Sequence, residues 1–275
     1  MTNAQTRAVV IGAGIGGLSA ALRLVHAGLT VTVIDMAEGP GGKMRTRNSV
    51  AGPVDIGPTV LMLKSVFETL FHDVGARLSD YVTLIPDDVL ARHFWPDGSR
   101  LDLFHDHDQS AKAMRDFAGP TAEREFRDFS ERARRLYDAF ETPVMFAQRP
   151  NLAKLTAQVL QNPRLIPAMA PGRSLAASLS GQFTDPRLQQ LFGRYATYVG
   201  GSPYQSPAVL ALIAHSEARG VWRVQGGMHR LALAMQGLAQ NKGAHFRFNS
   251  RAVRIERQDD RVCAVQLEDG TRLPA

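Results

Sequence analysis

Residues 9–22 read VVIGAGIGGLSAAL, and the fold turns on how this stretch is understood. Arg7 precedes the apolar run and Arg23 follows it, which gives the outline of a signal-peptide core or a membrane anchor. The glycines at 12, 14, 16 and 17 argue against both, because glycine is poor material for an apolar helix. The run is also shorter than the roughly 18 residues a spanning segment needs, and no other segment is long and apolar enough to span.

A nucleotide-binding reading accounts for more of the positions. Ala8 to Ile11 has the composition of a central parallel strand, Gly12-x-Gly14-x-x-Gly17 follows at once, and Leu18 to Ala27 has helix-forming composition. Gly12 permits the tight turn, Gly14 lets a pyrophosphate approach bare backbone, and Gly17 lets the helix pack closely on the sheet; Gly16 lies in the same turn. Amides at the start of the helix then face the phosphates. Thr30 to Ile34 predicts a second strand ending at Asp35, eighteen residues past Gly17, where a carboxylate accepts hydrogen bonds from ribose hydroxyls. Strand, glycines, helix, strand and terminal acid in this order predict a Rossmann unit.

That fingerprint does not separate one dinucleotide from another. After Asp35 comes MAEGPGGKMRT, in which Gly41 and Gly42 bring backbone close to a ligand and Lys43 or Arg45 neutralises phosphate charge; an ordinary glycine turn fits the same residues. Next, VDIGPTVL places Asp55, Gly57 and Pro58 in a rigid turn after a short strand.

Composition narrows the class. The 275 residues, 44% of them hydrophobic, suffice for one large or two ordinary domains. Thirty-two basic against 26 acidic residues give +6, an excess that suits an anionic membrane surface or a phosphate-bearing cofactor as readily as nucleic acid. Nothing else points to nucleic acid. Cys263 is the single cysteine, so an intrachain disulfide is excluded, and its setting in RVCAVQL reads as a buried strand. HDHD at 105–108 reads as a solvated loop rather than a metal site, and the eight histidines show no HExxH pairing. Tyr195, Tyr198 and Tyr204 read as packing before they read as the wall of a ligand tunnel.

Along the chain, Ser65-x-x-Glu68 predicts a capping box for a helix running to about Val74, and ARHFWPDGSRLDLF alternates around Pro96-Asp97-Gly98 like an antiparallel hairpin. Gln109 to Phe140 reads as a helical region presenting mainly a solvated surface, with Glu131 and Arg135 paired at i, i+4. From Thr142 to Thr184 there is no acid, while Arg149, Lys154, Arg164 and Arg173 are spread among apolar residues. This pattern suits a helix at an anionic bilayer surface and equally an ordinary helical lid.

Taken together, the N-terminal GxGxxG, the acid ending the second strand, the Gly-Gly-Lys turn and Asp55-x-Gly57-Pro58 resemble the FAD-dependent phytoene desaturase and amine oxidase superfamily. VQGGMHRLALAMQGLAQ near the C-terminal end is similar to that family's second cofactor segment, with Val253 in a following strand near the adenine end. Asp35 replaces the more usual Glu and Lys43 the commoner Arg; both keep the charge. The stretch LFGRYATYVGGSPYQSPAVLALIAHSEARGVWRVQGGMHRLA is most similar to bacterial carotenoid desaturases.

The resemblance implies an α/β fold: a Rossmann-type FAD-binding domain with a parallel sheet, residues 1–75 and 221–275, interrupted by an α+β substrate domain over 76–220. It implies FAD held by Gly12, Gly14, Gly16, Gly17, Asp35, Gly41, Gly42, Lys43, Asp55, Gly57, Pro58 and Val253. It also implies an acyclic carotenoid substrate and peripheral contact with the cytoplasmic side of an inner, photosynthetic membrane. Hydride transfer to flavin needs no protein nucleophile or metal, so no catalytic residue is assigned. The family continues past the position of Ala275, which marks this chain as an N-terminal fragment. A flavin amine oxidase and a non-catalytic prenyl-binding escort on the same fold are the alternatives.

Overall fold

The strand β1 (Arg7–Ile11) enters the glycine turn, the chain leaves it through α1 (Ile15–His26), and β2 (Thr30–Ile34) returns parallel to β1, Arg7 opposite Thr30 and Ile11 opposite Ile34. The structure, a computed structural model, describes residues 6–147, 149 and 151–275. Gln148, Pro150 and the side chain of Lys154, all within the acid-free stretch, lie outside the described residues. Helix α1 forms because Leu18, Ala21, Leu22 and Val25 fall on one face, and all four are buried. The expectation of a central β1 needs correction: among the described residues β1 pairs only with β2, and Ile11 at its end is 49% exposed.

A short hairpin, β3 (Thr46–Ser49) with β4 (Gly52–Asp55), follows. Then comes α2 (Lys64–Asp73), whose N-cap is Leu63 with a left-handed φ of 53° and no side-chain cap. Ser65 and Glu68 therefore form no capping box. Ser65 sits in the first turn of the helix and Glu68 one turn further on, where it pairs with Lys64 at 3.0 Å. Strand β5 (Leu84–Pro86) closes this part of the chain.

The segment Asp87–Val221 is a compact unit of its own. It opens with the antiparallel pair β6 (Val89–Phe94) and β7 (Arg100–Phe104), turning through Trp95–Ser99. The long helix α3 (His107–Phe140) follows, kinked where Ala118 and Gly119 leave helical geometry just before Pro120. Its solvated appearance in sequence misleads: Met114, Phe126, Phe129, Leu136 and Tyr137 are buried, and this stripe organises the unit's core. Charge pairs on the opposite face mask that stripe when composition alone is weighed. The helices α4 (Leu152–Gln161), α5 (Leu165–Met169), α6 (Leu175–Ser180), α7 (Pro186–Gly193) and α8 (Leu212–Ala218) complete the unit.

The chain up to Pro86 and Trp222–Ala275 form the other unit. Here β8 (Trp222–Val224) pairs antiparallel with β5, and α9 (His229–Asn241) leads to β9 (His245–Arg247), which lies parallel to the far side of β2. The parallel sheet therefore runs β1-β2-β9. A separate meander, β10 (Ala252–Gln258), β11 (Arg261–Leu267) and β12 (Arg272–Pro274), packs Val265 and Leu267 against Ile34. Residues 76–86, grouped by sequence with the inserted domain, fold instead with the nucleotide unit, because Leu78 and Val82 enter its core and β5 needs β8 as partner. Cys263 is half-buried on β11 rather than buried, since its neighbours Ala264 and Val265 take the core positions.

Candidate functional site

At the carboxyl ends of β1 and β2 the chain builds a cradle almost entirely from backbone. Gly12 takes φ = +100° and its amide donates to the Ile34 carbonyl at 2.8 Å, tying the start of the turn to β2. Gly17 is the packing glycine: a Cβ there would stand 1.8 Å from the Gly12 carbonyl oxygen. Helix α1 begins with Gly14 as N-cap, with no side-chain cap and no acid in its first turn, so no side chain competes for that positive helix end. Gly16, at an exposed position of the first turn, has open space where a Cβ would point.

Asp35 braces this turn from the end of β2. Its Oδ2 accepts from the Ala13 amide at 2.7 Å and its Oδ1 from the Ala37 amide at 2.8 Å. An ionised carboxylate has about four acceptor directions, so ribose hydroxyls still find room on it.

The second glycine turn sits directly on the first. The Gly41 amide donates to the Ala13 carbonyl at 2.8 Å, and a Cβ on Gly42 would lie 3.1 Å from the Gly14 Cα. Lys43 is exposed at the edge of this contact. Gly57 docks beneath, where a Cβ would meet the Lys43 carbonyl oxygen at 1.8 Å, and Pro58 beside it is exposed. Asp55 reaches across 173 positions of sequence: its Oδ2 accepts from the Met228 amide at 2.9 Å, while its Oδ1 is buried with no partner among the described residues. The His229 ring, through Nε2, lies 3.0 Å from the Pro40 carbonyl oxygen. Met228 and His229 lie in VQGGMHRLALAMQGLAQ, the stretch similar to the family's second cofactor segment, and its glycine pair is the sequence signal for them. Val253 stands apart on β10, 53% exposed.

These features fit a dinucleotide diphosphate: two glycine turns in contact without side chains between them, an uncapped helix end, and a strand-end carboxylate.

The inserted unit carries a different chemistry. Arg194, in the turn after α7, forms a salt bridge with Glu217 of α8, which is 4% exposed. Glu217 also accepts from the Tyr195 hydroxyl at 2.8 Å and the Tyr198 hydroxyl at 3.1 Å. Burial works against the charge on Arg194, yet Glu217 beside it outweighs that and leaves the guanidinium pKa above its ordinary value. Burial, reinforced by Glu217, raises Tyr195 well above the usual phenol range, so its hydroxyl stays protonated. His93 is lowered, by burial first and then by Arg194, and its Nε2 is buried without a partner among the described residues. His215, two residues before Glu217, is lowered by burial too. Around His105 to Asp108, Asp106 caps α3 by accepting from the Gln109 amide and Asp108 pairs with Arg127. Among the described residues no cluster of three or more metal-ligating side chains occurs.

Comparison with known proteins places this geometry. The family model for flavin containing amine oxidoreductases matches residues 15–275. The chain is 52% identical to the hydroxyneurosporene desaturase of Cereibacter sphaeroides over 98% of its own length and 54% of that protein's. To the hydroxyneurosporene desaturase of Rhodobacter capsulatus it is 47% identical, over 98% of this chain and 55% of that one. The chain thus spans about half the length of the curated relatives it matches. A solved structure of putrescine oxidase bound to putrescine superposes with a TM-score of 0.63 at 17% identity, covering 98% of this chain and 56% of that one, a likeness of fold alone. With a dinucleotide cradle on one side and this family match on the other, the chain belongs to the flavin-containing amine oxidoreductases, and its cofactor is FAD.

Proposed function

We propose that the whole protein is an FAD-dependent desaturase that introduces a C=C bond into an acyclic carotenoid carrying a 1-hydroxy or 1-methoxy end, as a bacterial 1-hydroxycarotenoid 3,4-desaturase (methoxyneurosporene dehydrogenase) does. The observation that carries this reading is the 52% identity to a hydroxyneurosporene desaturase across nearly the whole chain. Desaturation removes a hydride and a proton from neighbouring carbons, and FAD when bound supplies the hydride acceptor. Gly12, Gly14 and Gly16 would present bare backbone to the diphosphate where Gly17 lets α1 pack on the turn, and Asp35 would accept from the adenosine ribose while it holds the turn through Ala13. Gly42 and Lys43 would bring an amide and one cation to the same group, Gly41 ties their turn to the first through the Ala13 carbonyl, Asp55, Gly57 and Pro58 fix that second turn, and Val253 would lie toward the adenine.

The same reading includes contact with the cytoplasmic face of an inner, photosynthetic membrane, where a carotenoid resides. Exposed apolar residues Phe146, Leu160 and Ile166 in the acid-free stretch, beside exposed Arg149, Arg164 and Arg173, support it. No helix among the described residues is long and apolar enough to cross a membrane.

The test is made on the full-length protein. Its visible spectrum should show bound flavin, and 1-hydroxylated acyclic carotenoid in anionic liposomes should be desaturated while the protein floats with the vesicles. Absence of a flavin band sinks the enzyme reading, and peroxide release with amines in place of carotenoid turnover replaces it by amine oxidation. Turnover of unhydroxylated substrate alone sinks the narrower assignment, and equal recovery with and without liposomes removes the membrane contact.

A further inference from the structure

The peptide between Pro40 and Gly41 carries the second glycine turn, and other parts of the nucleotide unit hold both of its polar groups. Its N–H, on Gly41, donates to the Ala13 carbonyl at 2.8 Å. Its carbonyl, on Pro40, lies 3.0 Å from Nε2 of His229. We propose that His229 is a positioning residue for FAD: its Nε2–H fixes the plane of this peptide and so sets Gly42 and Lys43 toward the diphosphate. The proposal rests on the cofactor reading above and does not depend on which polyene is the substrate.

Burial divides the turn into a held side and a presenting side. Pro40 and Gly41 are buried, whereas Gly42 and Lys43, next in the chain, are exposed. Proline has no N–H to give, so the carbonyl is the only backbone hydrogen-bonding group that Pro40 brings. A buried carbonyl left without a donor is costly, and turning this peptide to find one would break the bond from Gly41 to Ala13 as well. Gly41 takes φ = +115° and is bridged to Gly14, so such a rotation would also disturb the first glycine turn. The imidazole lies against the glycine itself, since a Cβ on Gly41 would stand 3.1 Å from His229 Cδ2.

The backbone that carries His229 is fixed in turn. His229 is the first residue of α9, and the amide of Met228 before it donates to Asp55 Oδ2 at 2.9 Å. Gly227, with φ = +95°, passes so close to the same carboxylate that a Cβ would lie 3.0 Å from Oδ1. Helix α9 is thus pinned to the turn at two points, Asp55 and Pro40, from the far end of the sequence. The partner also decides the tautomer: a carbonyl only accepts, so Nε2 carries a proton whether the ring is neutral or charged. The contact needs a donor and not a charge, and an amide N–H of the same reach can replace it.

The experiment uses full-length protein stripped of flavin and titrated with FAD, with flavin fluorescence reporting Kd and circular dichroism reporting the fold. His229→Phe keeps a ring against Gly41 and removes the donor, so Kd for FAD should rise by about tenfold or more. His229→Gln restores an N–H donor and should stay within about threefold of wild type. A folded His229→Phe protein with the wild-type Kd overturns the proposal. So does a folded His229→Gln protein as weak as His229→Phe, because the ring and not its donor would then be what holds the turn. If His229→Phe does not fold, His229→Asn decides, since its amide is one methylene shorter; binding as tight as that of His229→Gln overturns the proposal. Wild type that takes up no FAD overturns the cofactor reading together with this one.

Discussion

Replacing Gly17 with alanine tests the cradle most directly. The new methyl would stand 1.8 Å from the Gly12 carbonyl oxygen and 3.4 Å from Val10 Cγ1. A relaxed carbon-to-oxygen contact needs about 3.3–3.6 Å, so α1 has to withdraw by roughly 1.5 Å. That movement unseats Leu18, Ala21, Leu22 and Val25, all of which belong to the core of the nucleotide unit. Overpacking in a core costs about 1–3 kcal/mol where side chains can yield; here the obstacle is backbone, and about 3–4 kcal/mol is expected. For a unit of this size that lowers the melting temperature by roughly 6–15 °C. Gly16→Ala is the internal control, because its Cβ would meet nothing within 4 Å and the position lies in an exposed first turn. Alanine there favours the helix by about 0.5–1 kcal/mol, so stability should hold or rise, and any loss of flavin in that variant reports on the ligand rather than the fold. Thermal melts followed by circular dichroism, with flavin absorbance after gel filtration, read both quantities. A Gly17→Ala protein melting within about 2 °C of wild type, or a Gly16→Ala protein falling as far, would refute the assignment of these two glycines to packing and open surface.

Three further outcomes follow from the same geometry. Asp35→Ala strips the acceptor from the Ala13 and Ala37 amides, so about 1–3 kcal/mol of stability and most bound flavin should be lost together, read by denaturant midpoint and absorbance. Asp55→Asn keeps an acceptor for the Met228 amide and should stay within about 1 kcal/mol of wild type, whereas Asp55→Ala should not; equal losses would show that the charge, not the hydrogen bond, holds that turn. Acid should weaken the inserted unit in two stages. His93 and His215, lowered by burial, stay neutral where the unfolded chain takes up protons, so stability present above about pH 6.5 declines as pH falls below it. Asp185 and Asp102, lowered by their hydrogen bonds to Arg187 and Arg92, add a second decline as pH drops below the ordinary carboxylate range near 4. Urea midpoints measured from pH 8 to 3 should show both; a flat profile between pH 7.5 and 5.5 would contradict the histidine stage.

What could be read from the sequence divides according to how far the deciding contact lies along the chain. Gly12, Gly14, Gly17 and Asp35 answer to one local requirement, a tight strand-turn-helix whose second strand returns within about twenty residues, so their spacing carries the geometry. Gly41 and Gly57 are legible as turns, but the contacts that make them glycine, with the Met44 and Lys43 carbonyls, follow from how two turns stack and not from either turn alone. The Met228 partner of Asp55 is separated from it by the whole inserted unit, and no periodicity records such a pairing. Helix α3 shows the opposite failure: its charged face dominated the composition and hid a buried aromatic stripe that is plain once α8 and β7 are seen against it.

The polar group in the inserted unit is the extreme case. Tyr204, read from the sequence as packing with Tyr195 and Tyr198, is 78% exposed instead; Tyr195 does pack, stacking near Phe192 with ring centroids 6.4 Å apart, and Tyr198, 46% exposed, only lies against the Tyr195 ring at 6.0 Å. The hydroxyls of Tyr195 and Tyr198 are what matter chemically, and these are defined by Glu217, which in sequence is one acid in an unremarked helix. A buried acid cannot be told from a solvated one by its neighbours in the chain; only the packing of α8 against α3 makes Glu217 costly to bury and so worth explaining. Cofactor binding relies on backbone shape, which short motifs encode, whereas a buried charge cluster is defined by single side chains that only tertiary packing brings together.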